Sequence, residues 1–198
     1  GLTGYPWAML YLASQSPRRR ELLAQLGLEF GLLDVNVPEQ REPGEPPAAY
    51  VSRVAREKAG AGLLQVVAGK GAVVLGADTE VVLDDEVFGK PADAADAARM
   101  LRRLSGRVHE CLSTVWVLSA GRERHAACVT QVHFEKLTDA RIDAYIATGE
   151  CFGKAGAYAI QGRAGLWVSH ISGSYSGIMG LPAHVTAQVL GAAGLRLI

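Results

Sequence analysis

The first helix entrance holds the densest chemistry in the sequence. Ser14, Ser16 and the run Arg18-Arg19-Arg20 crowd a place where Ser16 makes a good N-cap and Pro17 a good first helical residue. Cations are out of place there, because the helix dipole favours acids in the first turn by about 0.3–1 kcal/mol each. Free backbone N–H groups, two hydroxyls and the guanidiniums would instead converge on an anion, as helix N-termini do on phosphate. The alternative is that the arginines are solvated or paired with Glu21.

Two further residues break local rules. Lys58 falls four residues after Val54 and seven after Val51, on a helical stripe that should face a core. It either snorkels past the apolar surface to water or has a buried partner. Asp78 ends the apolar run Ala72 to Ala77, where partial desolvation would leave it bound by backbone donors or acting on a cation or water. The stretch from Gly153 to Gly162 offers close backbone approach and the planar amide of Gln161, and Gly173 to Gly177 adds hydroxyls. Alone, each glycine pattern is only a loop with special backbone angles, and neither matches a Walker P-loop.

The elements that must position these groups mix short strands and helices. Met9 to Ala13 reads as a strand, and a helix starting at Ser16-Pro17 ends before Gly27. Gly31 to Val37 reads as a second strand, followed by a proline- and glutamate-rich loop and a helix from about Ala48 to Leu64. Ala72 to Ala77 is a buried strand that continues through Glu80 to Leu83 into a turn. Asp93 caps a helix to Leu104, and Val108 to Leu118 with Arg124 to Phe134 form a hairpin around Gly121. Thr138 caps a helix to Ala147, Ala157 to Ile160 and Leu166 to Ile171 read as strands, and Pro182 to Leu190 is the last helix. The sum is α/β or α+β with a mixed sheet.

The chain has 198 residues with 20 basic and 20 acidic side chains, so no long-range field draws it to nucleic acid or anionic lipid. No apolar stretch reaches the roughly 18 residues of a membrane helix, and no signal-peptide pattern opens the chain. We expect a soluble cytoplasmic protein. Cys111, Cys128 and Cys151 are odd in number and widely spaced, and the five histidines are scattered, so neither a disulfide framework nor a zinc site is expected. Residues 1–8 are set aside as an extension, with one domain from 9 to 198.

In this order, the blocks Leu12-Ala13-Ser14-Gln15-Ser16-Pro17-Arg18-Arg19, Lys58-Ala59, Gly76-Ala77-Asp78-Thr79, Gly89-Lys90-Pro91, Lys154-Ala155-Gly156-Ala157-Tyr158 with Ile160-Gln161-Gly162, and Gly173-Ser174-Tyr175-Ser176 with Gly180-Leu181-Pro182 resemble the Maf family of nucleoside triphosphate pyrophosphatases. The resemblance implies cleavage between the α and β phosphates with Mg²⁺ or Mn²⁺. It also implies an elongated single α/β domain with a curved mixed β-sheet, flanking helices, two lobes around a cleft and a homodimer. The Gln161 region looks like the dTTP/UTP subgroup more than the 7-methyl-GTP subgroup. Departures are Gly153, Glu80 and Gly177, where the family usually has Asp, an apolar residue and Asn, and Pro38-Glu39, where it has Asp-Glu.

Carried onto this chain, the resemblance makes Asp78, Lys58 and Lys90 catalytic. Ser14, Ser16, Arg18 and Arg19 handle phosphates, Thr79 and Gln161 read the base, and Asp78 with Glu39 holds the metal. The nucleoside triphosphate is then the only partner required, with no nucleic acid or membrane. Rival readings are 7-methyl-GTP hydrolysis and a nucleotide-binding regulator of cell division with little turnover.

Overall fold

A computed structural model describes residues 9–66 and 71–198, so the extension assigned to residues 1–8 lies outside the described residues. The organising element is a 12-residue strand, β3 (Ala72–Leu83), flanked on one edge by β5 (Val108–Ser119). On its other edge β3 pairs in parallel with β1 (Met9–Ala13) over Ala72 to Leu75, and antiparallel with β4 (Glu86–Phe88) from Val81 onward. Between these partners, residues 76–80 have an open edge. β2 (Gly31–Leu33) extends the sheet beyond β1, and β6 (Arg122–Phe134) and β7 (Val168–Ser172) extend it beyond β5. The result is a mixed seven-stranded sheet.

Strand alternation divides β3 between two faces. Gly76, Asp78 and Glu80 face α2 (Pro47–Gln65), whose backbone lies so close that a Cβ at Gly76 would stand 2.6 Å from the Ala55 carbonyl oxygen and the Ala59 nitrogen. This approach puts Lys58, the residue before Ala59, against Asp78. On the opposite face, Leu75 and Ala77 join a core with Val115, Val117, Leu23 of α1 (Pro17–Gln25) and Leu190 of α6 (Ala183–Ala192). Val81 and Leu83 join a second core with α3 (Ala94–Leu104), α4 (Asp139–Ala147), Tyr158 and Trp167. Two apolar lobes thus flank the stretch Asp78 to Glu80 along one strand.

Several expected boundaries move for local reasons. β2 stops at Leu33, not Val37, because its partner β1 ends at Ala13. Ala157 to Ile160 is not a strand. Ala155–Ala157 forms a 3-10 turn with φ of 71° at Gly156 and 63° at Ala157, Gly156 N–H bonds the Gly89 carbonyl, and Ala159 N–H bonds the Tyr145 hydroxyl. Leu166 belongs to another such turn, Arg163–Leu166, leaving only Val168–Ser172 as strand. A short helix α5 (Tyr175–Met179), capped by Ser174 accepting from Gly177 N–H, arises where hydroxyls and loop backbone were expected.

Candidate active site

All ten residues assigned from the sequence line one cavity of about 770 Å³ at the open edge of β3. Arg20 is exposed and does not line it. The Gly173 to Gly177 hydroxyls do not line it: Ser176 accepts from Ala183 N–H, Ser174 caps α5, and Tyr175 is exposed.

The helix entrance forms one wall. Ser16 Oγ accepts the Arg19 N–H at 3.2 Å, and Ser14 Oγ accepts the Ser16 N–H at 3.0 Å. Each hydroxyl keeps its own proton to donate to a ligand. Arg18 pairs with Glu21 at 2.8 Å, as the alternative reading of the triplet allowed, and both side chains remain substantially exposed. Arg19 Nε donates to the Gly180 carbonyl at 2.8 Å, fixing its guanidinium over the cavity.

Lys58 meets acids. Its ammonium lies 2.8 Å from Glu39 and 3.1 Å from Asp78, so the snorkelling alternative does not hold. Glu39 reaches it from a loop clamped onto α2 by Arg53, which binds the Glu45 carboxylate at 2.7 Å and the Gln40 carbonyl at 2.8 Å. Burial pulls Glu39 upward, but Lys58, Lys90 and Arg19 outweigh it and hold its carboxyl below the ordinary range. Asp78, 3% exposed, goes the other way, because burial dominates the attraction of Lys58 and Arg19. Its Oδ2 is sealed from solvent without a partner.

Thr79, on the other face, bonds Ser113 Oγ at 2.8 Å and the Gly180 carbonyl at 3.3 Å, while Ser113 donates to the Gly177 carbonyl at 2.7 Å. Its proton is therefore engaged, and it faces a ligand as an acceptor. Gln161 stands on the loop after Tyr158, whose hydroxyl is bonded to His109 Nε2 at 2.7 Å. Exposed Lys90 and neighbouring Lys154 complete the cationic rim.

Tyr50 and Glu80 line the cavity in addition to the residues expected from the sequence. Tyr50 lies eight residues before Lys58 on the same face of α2, a spacing that could have flagged it. Glu80, a departure from the family pattern, shares the strand face of Asp78 through its two-residue offset. Glu80 is 7% exposed, with Oε2 unpartnered, and burial followed by the charges of Asp78 and Glu39 drives its carboxyl well above the ordinary range. Cys111, also at the wall, is pushed up to about 12 by burial and Glu80, so it is no nucleophile.

Among the described residues no three His, Cys, Asp or Glu side chains group as a ready metal cage. Mg²⁺ and Mn²⁺ still fit the donor set, since a hard cation can take one or two carboxylates and complete its shell with phosphate oxygens and water. The orphaned Asp78 Oδ2 is the oxygen that calls for such a group.

The family model for Maf-like proteins matches residues 9–193. The chain belongs to the Maf family. Maf relatives include a dTTP/UTP pyrophosphatase of Xanthomonas euvesicatoria pv. vesicatoria, 56% identical over 94% of this chain and 99% of that one. One of Chromobacterium violaceum is 51% identical over 95% and 96%. A nucleoside triphosphate pyrophosphatase of Xylella fastidiosa is 51% identical over 92% and 97%. Among the described residues, no helix of this Maf protein is long and apolar enough to cross a membrane.

Proposed function

We propose that this chain hydrolyses dTTP and UTP to the monophosphate and pyrophosphate. The observation that carries this reading is the one cavity in which a capped helix entrance with Arg18 and Arg19, the Lys58 ammonium, Lys90 and a buried carboxylate with one unpartnered oxygen all meet. A triphosphate carries about four negative charges, which must be neutralised before a nucleophile can approach the α phosphorus. Arg18, Arg19 and Lys90 line its path, and the Ser14 and Ser16 hydroxyls donate to its oxygens. Lys58 holds the Asp78 carboxylate in place through Oδ1. Asp78, raised by burial, orients water and takes its proton as the water oxygen bonds to the α phosphorus and the bridge to the β phosphorus breaks.

A divalent cation, Mg²⁺ or Mn²⁺, would sit against Asp78, with Glu39 the second acid that the family resemblance names, and would supply charge neutralisation at the phosphates. For the base, Thr79 accepts from N3–H and the Gln161 amide donates to a carbonyl oxygen, the pairing that uracil and thymine need and cytosine lacks at position 4. Such substrates belong to the cytoplasmic nucleotide pool, and a homodimer with no nucleic-acid partner completes the reading. The decisive experiment is a pyrophosphate-release assay on the purified protein with Mg²⁺ or Mn²⁺ across UTP, dTTP, CTP, purine triphosphates and 7-methyl-GTP. UTP and dTTP should lead, and a lead by 7-methyl-GTP or the absence of release from every nucleotide overturns it.

A further inference from the structure

Glu80 is a buried acid in this cavity to which pyrophosphate release, as outlined, gives no task. Its Oε2 is sealed from solvent without a hydrogen bond, and so is Asp78 Oδ2 on the same face of the same strand. A buried acid without a donor is expensive. Around it, Leu112 directly across on β5, Val82 and Tyr50 form an apolar wall that a β-branched residue would suit better. Lys58 makes its direct ion pairs with Asp78 Oδ1 and Glu39, not with Glu80. Glu39, in turn, ends against that ammonium at 2.8 Å and is about one-third exposed, whereas Glu80 is buried.

We propose that Asp78 and Glu80 form a preformed two-carboxylate subsite for a divalent cation, with Lys58 holding Glu39 outside it. This deepens the pyrophosphatase reading and rests on it for the cation's purpose, whereas the binding itself needs no nucleotide. Two hard oxygen donors from adjacent positions of one rigid strand match what Mg²⁺ and Mn²⁺ accept from protein when phosphate and water supply the rest. That arrangement also agrees with the lack of any three-ligand group among the described residues. The open edge of β3 leaves the α2-facing acids and the arginine wall on the opposite face sharing one cavity, so a cation on the acids stands between them and the incoming phosphates.

The test is Mn²⁺ titration of nucleotide-free protein, followed by the electron paramagnetic resonance of free Mn²⁺, on the wild type, Glu80→Gln, Glu80→Val and Glu39→Gln. Circular dichroism checks that each variant is folded, and the valine change, which removes an unpaired buried acid, should melt no lower than wild type. Both Glu80 variants should bind Mn²⁺ at least about tenfold more weakly, with Glu39→Gln affected less than either. Wild-type binding in folded Glu80 variants, an equal loss in Glu39→Gln, or no Mn²⁺ bound by the wild type overturns the subsite. UTP hydrolysis measured in parallel separates the two ideas. Glu80-dependent Mn²⁺ binding without hydrolysis of any nucleotide keeps the subsite and sinks the pyrophosphatase reading, and hydrolysis without it does the reverse.

Discussion

The Glu150 carboxylate occupies the space where a side chain on Gly162 would begin, and it accepts the Arg163 N–H through both oxygens at 3.0 and 3.1 Å. Together with the Tyr145 hydroxyl, which accepts the Ala159 N–H at 3.1 Å, it pins both ends of the loop that carries Gln161. Gly162→Ala must push that carboxylate, the mobile end of the Glu150 side chain, off the Arg163 N–H, which costs little strain but unpins the loop. KM for UTP should rise about tenfold or more with kcat changed less, as steady-state kinetics will show. Glu150→Ala should move the same parameter in the same direction.

Asp78→Asn keeps the volume and removes the charge. Pyrophosphate release should fall at least about a hundredfold, the scale of losing a general base. Thermal melting should show an intact fold, and near-wild-type turnover would remove Asp78 from the chemistry.

Lys58→Met leaves Asp78 and Glu39 facing each other without their shared cation. Removing one partner of a largely buried pair costs about 3 kcal/mol or more, so denaturant unfolding should show a marked loss at neutral pH. Adding Asp78→Asn to that variant should recover part of the loss, a non-additivity that a double-mutant cycle measures.

Base reading predicts a rank order at position 161. Gln161→Ala loses one hydrogen bond, whereas Gln161→Glu loses the donor and adds a charge near a polyanion. Discrimination of UTP over CTP should drop by about tenfold or more in both, as 1–3 kcal/mol implies. UTP kcat/KM should fall further in the glutamate variant.

His109 gives stability a pH dependence. Burial, with a smaller contribution from His133, lowers its imidazole from 6.5 to about 4. Below pH 6.5 the unfolded chain takes up a proton that the folded chain refuses, so stability falls as pH drops from about 6.5 to about 4. The loss amounts to about 3 kcal/mol at the low end. His109→Gln, which can still reach the Tyr158 hydroxyl, should flatten that segment of a stability-pH curve.

What local signals carry was legible in the chain. Ser16, Asp93 and Thr138 each cap the helix expected of them, because capping depends on a few adjacent residues. The end of β2 was not legible, because it is set by where β1 stops. Nor was the 3-10 turn at Ala155–Ala157, with positive φ at Gly156 and Ala157, because Gly156 is held by Gly89 and packed against Val81, both far away in sequence. Among the site residues, Lys58 stood out because a charge on an apolar stripe is a local contradiction. Its acid partners, and the engagement of the Thr79 proton by Ser113 and Gly180, depend on the sheet having brought distant segments together.

The cavity walls run from Ser14 to Gly180 and draw on the turn after β1, α1, the loop after β2, α2, β3 and the loops after β4 and α4. No contiguous fragment holds enough of them to grip a nucleotide, so ligand capture and the native state are one coupled equilibrium. By mass action a ligand at a hundred times its dissociation constant adds about 2.7 kcal/mol of protection against global opening. Occupancy of this enzyme by its substrate pool would therefore be written into its resistance to proteolysis, and turnover of the protein would follow the supply of nucleotide.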